Sequence, residues 1–182
     1  MTRRHPHGRP TRNLVLCMIG TLLAAVVPAV VAQPAYAASH SFGDRAGDIA
    51  SGADIRSVRI SNGSAIIVRV FHRDLRRSAN PSVSVYVDTI ASRSGPEYVL
   101  NVSVWEWYMW RTRRWRAVDG YPLASAYSGR FDYATELTTV RIPRRSLGYP
   151  GRIRVNVVAR NGFGAQDHAP GYHAFSPWVR RG

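Results

Sequence analysis

The sequence contains no lysine, so all 25 of its basic residues are Arg, and they face only 11 acids. One cysteine is present in 182 residues, Cys17, and it lies inside an apolar run near the start. The rest of the chain therefore has no disulfide, no thiolate metal site and no cysteine nucleophile. Catalytic signatures are absent as well: there is no G-x-S-x-G elbow, no phosphate-binding glycine loop and no Cys-His pair. Glu97, Glu106, Asp132 and Glu136 are the carboxylates that a glycosidase pair would draw on, but their spacing in the chain defines no separation in space. A non-catalytic protein is the expectation. Helical periodicity is also missing beyond the first 37 residues.

Those 37 residues have a separate character. MTRRHPHGRPTRN carries four Arg and no acid, and the stretch from Leu14 to Ala32 is apolar apart from Gly20, Thr21 and Pro28. Ala35-Tyr36-Ala37 then supplies a small-residue cleavage pattern. This order predicts a signal peptide over residues 1–37, helical in its apolar part, and a secreted, extracellular product beginning at Ala38. Pro28 and Pro34 oppose a retained membrane span. Cys17 lies too early in the apolar run to be a lipidation site and reads as one more apolar residue.

Cleavage leaves 145 residues, enough for one domain with a sizeable core over 38–182. It also lowers the formal charge from +14 to +10, because four Arg leave and every acid stays. A surface of that charge attracts polyanions, and outside a cell these are wall phosphates, acidic glycans, anionic lipid or extracellular DNA. Nothing in the pattern indicates specific nucleic-acid recognition. Exclusive Arg usage with abundant Ala, Gly and Val also matches the codon bias of a high-GC actinobacterium.

Period-2 alternation runs through most of this region. Arg56–Ile60 and Ala65–Phe71 flank Ser61-Asn62-Gly63-Ser64 and read as a hairpin. A three-residue loop with Gly63 left-handed would pair Ile60 with Ile66 and Val58 with Val68, gathering the apolar residues on one face. Ser82–Asp88 follows, with Val83, Val85 and Val87 inward and Ser84, Tyr86 and Asp88 outward. Further strands are expected at 97–104, 107–111, 115–118, 126–133, 136–142 and 152–160, with a single helical turn at 143–148. In the last strand Ile153, Val155, Val157 and Ala159 share one face; Arg154, Asn156, Val158 and Arg160 share the other. Short strands with one buried and one wetted face predict an all-β fold, a single antiparallel β-sandwich of jelly-roll or immunoglobulin-like type. The Gly-, Pro- and His-rich tail from Asn161 is expected to wrap one end.

The segments FGDRAGDIASGADIRSV, VYVDT, PEYVL, YMWRTRRW, VRIPRRSLGYPGRIRVNV and DHAPGYHAFSPWV, in that order, resemble a group of secreted actinobacterial proteins of unknown function. The domain of that group is similar to the β-sandwich of DOMON and family 9 carbohydrate-binding modules. The resemblance covers most of residues 38–182 and implies a binding fold without fixing its ligand.

Two constellations stand out in the residues themselves. Trp105-Glu106-Trp107-Tyr108-Met109-Trp110, with Trp115 following, concentrates aromatic surface at one hairpin. On a strand Trp105 and Trp107 share one face, and Tyr108 and Trp110 the other, so one exposed pair would form a platform for stacking sugar rings. Trp105, Trp107, Trp110 and Trp115 are the candidate ligand-binding tryptophans, with Arg111 and Arg113 adding cationic contacts; buried, they would be core. Asp44, Asp48 and Asp54 lie among Gly43, Gly47 and Gly52, and Asp167 can join them if the ends of the domain meet. Carboxylates in such a loop suit calcium, or they cap turns. His168 and His173 lack a third spaced ligand for zinc or copper, and Met109 is the one methionine available to a haem after cleavage. The functional expectation is a non-catalytic module for cell-envelope glycan or another extracellular polyanion. The alternative is a structural or protein-interaction module, with calcium as the one cofactor considered.

Overall fold

A computed structural model describes residues 38–45, 47, 49, 52–112, 115, 121–122 and 127–182. The leader expected over 1–37 lies outside the described residues, as do Asp48, Arg113 and most of the strand expected at 115–118. Among the described residues no helix is long and apolar enough to cross a membrane.

Two antiparallel sheets pack face to face. The first runs in the order β1 (Ala38–Gly43), β2 (Asp54–Asn62), β3 (Ala65–Arg73), β9 (Leu137–Pro143), β8 (Ser128–Asp132). The second runs β11 (Gln166–Ala169), β10 (Arg152–Arg160), β4 (Ser82–Asp88), β5 (Tyr98–Ser103), β6 (Trp107–Arg111), β7 (Tyr121–Pro122), and β12 (Val179–Arg180) also pairs with β10. The chain thus builds three strands of one sheet, crosses to the other for four, returns for two, and crosses again for β10 and β11 before β12 pairs with β10.

The alternation of each strand explains this arrangement. Val58, Ile60, Val68 and Val70 of the first sheet meet Val83, Val85, Leu100, Val155 and Val157 of the second, all essentially inaccessible to water. Burying a valine or leucine side chain in this way contributes roughly 1.5–3 kcal/mol. At Gly129 in β8 the sheets approach so closely that a Cβ would lie 2.4 Å from Cγ2 of Val102 in β5. The helical turn expected at 143–148 is a 3₁₀ turn, Arg144–Leu147, closed by left-handed Gly148.

Three expectations need correction. First, Ala38–Gly43, where no strand is expected from the sequence, is a strand paired with β2 along its whole length. Second, the β2–β3 hairpin pairs Val58 with Val70, Ile60 with Val68 and Asn62 with Ile66, two residues out of the expected register, and Gly63 is not left-handed. The apolar residues still share a face because an even slip preserves the pleat. The reason for the slip is Asn62, which is not a turn residue but the buried end of β2. Its Nδ2 donates to the Val179 carbonyl at 2.9 Å, and its Oδ1 accepts from Arg144 Nη1.

The third correction bears on function. Ser84, Tyr86 and Asp88, expected to face water, are buried. The tail does not simply wrap an end. Between β11 and β12, the chain swings over the outer face of the second sheet, and buried Asn156 of β10 pins it there through Nδ2 bonds to the carbonyls of Gly171 (2.9 Å) and Ala174 (2.6 Å).

Candidate functional site

The covered outer face is where unusual side chains collect. Alternation in β4, β5, β6 and β10 directs Tyr86, Val99, Trp110 and Val158 to that side, where they form a small apolar cluster apart from the main core. Trp115 packs on it, with its ring centroid 5.6 Å from that of Tyr86. The overlying segment adds a line of rings: His173 is stacked on Trp115 at 4.6 Å, Tyr172 on His173 at 3.9 Å, and His168 meets Tyr172 edge-on at 5.1 Å. Within this line lies a cavity of about 330 Å³. Asn156, Arg160, Gln166 and His168 supply its polar wall. Tyr172, 73% exposed, stands at its mouth.

The polar atoms of the face are incompletely matched. Asn156 is fully buried, yet its Oδ1 has no hydrogen-bond partner among the described residues, and the same holds for buried His168 Nδ1 and Trp110 Nε1. Buried polar atoms are usually paired, so three orphans on one sheet face are an unmet demand for donors and acceptors. Arg160 donates from Nη1 to Ser84 Oγ at 2.9 Å and has no carboxylate in ion-pair contact among the described residues. Burial, with the charges of Arg160 and His173 adding to it, holds the His168 imidazole below its ordinary pKa and therefore neutral near pH 7. The wall thus offers one fixed cation, neutral donors and acceptors, and no acid.

At the far end of the same face Arg154 clamps fully buried Asp88, with Nε at 2.7 Å and Nη2 at 2.6 Å from Oδ2. Its guanidinium lies 4.7 Å from the rings of both Phe175 and Trp178, which ties the overlying segment down. Glu97 sits beside Asp88 and accepts from the Thr89 amide at 2.7 Å. Burial, then the neighbouring Asp88 carboxylate, pushes the Glu97 pKa up.

The hairpin residues singled out from the sequence are divided between places. Trp110 and Trp115 belong to the outer face. Trp107 shares its side of β6 with core residue Met109; it remains 48% exposed, donates Nε1–H to the Ser103 carbonyl and stacks on Tyr127 at 5.9 Å. Trp105, 82% exposed, projects from the β5–β6 turn. Arg111 places its guanidinium 5.9 Å from the Tyr98 ring, and Arg113 lies outside the described residues. The four tryptophans do not share one surface. Period 2 on one strand sends Trp107 and Trp110 to opposite sides.

Of the acidic set, Asp54 and Asp167 do come to one end of the domain, Asp54 as the first residue of β2 and Asp167 in β11. Each accepts from a backbone amide there: Asp54 Oδ2 from Gly47 at 2.7 Å, and Asp167 Oδ2 from Ile55 at 2.6 Å. The Asp44 amide donates to the Arg56 carbonyl, and Asp48 lies outside the described residues. Among the described residues no three His, Cys, Asp or Glu side chains converge as metal ligands.

Sequence reasoning placed Asn156 and Arg160 on the outer face but had no reason to join them to Tyr86, His168, Tyr172 and His173, which lie up to 87 positions apart in the chain. The available signal was the aromatic and His content of the tail itself, GYHAF after DHAP. No family model, curated protein or solved structure matches this chain.

Proposed function

We propose that the protein is an exported, non-catalytic binding module, a β-sandwich of jelly-roll or immunoglobulin-like type, whose outer sheet face takes a cell-envelope or extracellular glycan in the cavity between β10, Trp115 and the 170–175 segment. The observation that carries this reading is the pairing of an aromatic rim with orphaned buried polar atoms, Asn156 Oδ1 and His168 Nδ1, around one opening. Sugars present apolar C–H faces that stack on rings, and hydroxyls that both donate and accept, which is what such a wall lacks. Arg160, without an acid beside it, favours a glycan carrying a carboxylate or other anionic substituent. The leader pattern supports an extracellular setting. Calcium at the Asp54–Asp167 end would serve stability rather than this recognition.

The test is a titration of soluble wall-polysaccharide fragments followed by tryptophan fluorescence, which Trp115 is placed to report. Tyr172→Ala and Arg160→Gln are each expected to weaken binding about tenfold, whereas Trp105→Ala leaves it unchanged. Binding lost on Trp105→Ala and indifferent to the other two would return the site to the hairpin tip and refute the present assignment.

A further inference from the structure

A second cavity, of about 430 Å³, opens where the ends of β3 and β9 meet the 3₁₀ turn. Its wall carries four arginines, Arg141, Arg144, Arg145 and Arg181, together with Ser64 and Tyr149, and no acid. Among the described residues no carboxylate pairs with any of the four. Exposed arginines in water need no partner, and Arg141, Arg145 and Arg181 are exposed. Arg144 is different, because it is only 6% exposed.

A guanidinium withdrawn from water is ordinarily matched by an anion. Arg144 instead donates to two neutral oxygens, Asn62 Oδ1 and the Pro150 carbonyl, and its buried Nε has no partner among the described residues. Burial and the charge of Arg181 both press its pKa down, the signature of a cation that lacks compensation. Tyr149, left-handed at φ 56 and 70% exposed, holds its hydroxyphenyl ring at the rim. The backbone around it is anchored, with the Tyr149 amide bonded to the Arg144 carbonyl at 3.0 Å and the Arg181 amide to the Gly151 carbonyl at 2.9 Å.

We infer that this cavity is a binding site for a tetrahedral oxyanion, a phosphate or sulfate group, held by the four arginines with the Ser64 and Tyr149 hydroxyls available as further donors. Guanidinium forks match such oxygens two at a time, and an anion here relieves the repulsion between Arg144 and Arg181. A carboxylate is a poorer fit, because it spreads its acceptors over two coplanar oxygens, whereas a tetrahedral oxyanion presents more oxygens in more directions to four guanidinium groups. The site involves none of the residues of the glycan cavity, so the two proposals stand or fall separately.

The experiment titrates inorganic phosphate into the purified protein, with ionic strength held constant by sodium chloride, and follows the Arg144 side-chain Nε–H and the Tyr149 amide by NMR. Saturable shifts are expected, with affinity about tenfold weaker in the Arg141→Gln/Arg181→Gln double variant. Both substitutions are on exposed side chains and leave the Arg144 bonds to Asn62 and Pro150 in place. Tyr172→Ala leaves phosphate binding unchanged. A parallel titration with a glycerol-phosphate oligomer identifies the source: tighter binding per phosphate than the free ion means a polymer phosphodiester, and equal binding means the free ion. Shifts that follow chloride equally well, or that are the same in the double variant, overturn the inference and leave Arg144 as a structural tie between Asn62 and Pro150.

Discussion

Replacing His72 with glutamine isolates one term in the pH dependence of stability. The His72 ring is fully buried at the end of the inner core in β3. Its Nε2 lies 2.8 Å from Thr138 Oγ1, and Nδ1 lies 3.5 Å from the Ala53 carbonyl. A carbonyl only accepts, which makes Nδ1 the protonated nitrogen and Nε2 the acceptor from the Thr138 hydroxyl. Burial lowers the ring's pKa from 6.5 to about 4, with Arg56 adding to the effect and the Ala53 bond opposing it. Above pH 6.5 the ring is neutral in folded and unfolded chains alike. As pH falls below that value the unfolded chain takes a proton that the folded one refuses until about 4. Stability is therefore lost on acidification across this window, by about 1.4 kcal/mol per pH unit and roughly 3 kcal/mol in all. That is a sizeable fraction of the 5–15 kcal/mol typical of a domain. Urea unfolding of wild type and His72→Gln, followed by tryptophan fluorescence at intervals from pH 7.5 to 4, measures it. Glutamine preserves a partner for Thr138 and does not titrate, so the difference between the two proteins should narrow or reverse by about 3 kcal/mol as pH falls. A difference that stays constant with pH would refute the assignment of His72 as a buried neutral ring.

Gly129→Ala should lower stability by about 1–3 kcal/mol, because the new methyl meets the stiff Val102 side chain at 2.4 Å and the sheets must part; thermal unfolding checks it. Glu97→Gln should raise the melting temperature at pH 7.5. The folded-state pKa is raised, so the ionised carboxyl beside Asp88 opposes folding above that pKa, and the advantage of the amide shrinks as pH falls and wild type takes up its proton. An advantage that grows with acidification would contradict the sign.

Strand limits were legible where alternation was strict. Ser82–Asp88, Trp107–Arg111 and Arg152–Arg160 occupy the residues that period 2 assigns to them, and Val83, Val85 and Val87 face the core. Ala38–Gly43 was missed because its polar, Gly-adjacent sequence has little strand propensity; it is held by pairing along β2. The β2–β3 register was missed because Asn-Gly is a strong local turn signal, and bonds to Val179 and Arg144, 117 and 82 residues away, outweigh it.

The site follows the same division. Alternation alone assigns Asn156, Val158 and Arg160 to one face of β10, and composition alone gives a cysteine-free, arginine-rich domain with an excess of cationic charge. These are local or additive properties, and a sequence carries them whole. Whether that face meets water depends on where residues 170–175 travel, and whether Arg144 finds a counter-charge depends on what Asn62, Pro150 and Arg181 bring beside it. Burial and electrostatic isolation are properties of neighbours distant in the chain, and for this reason the covered aromatic face and the uncompensated arginine emerged only with the tertiary structure.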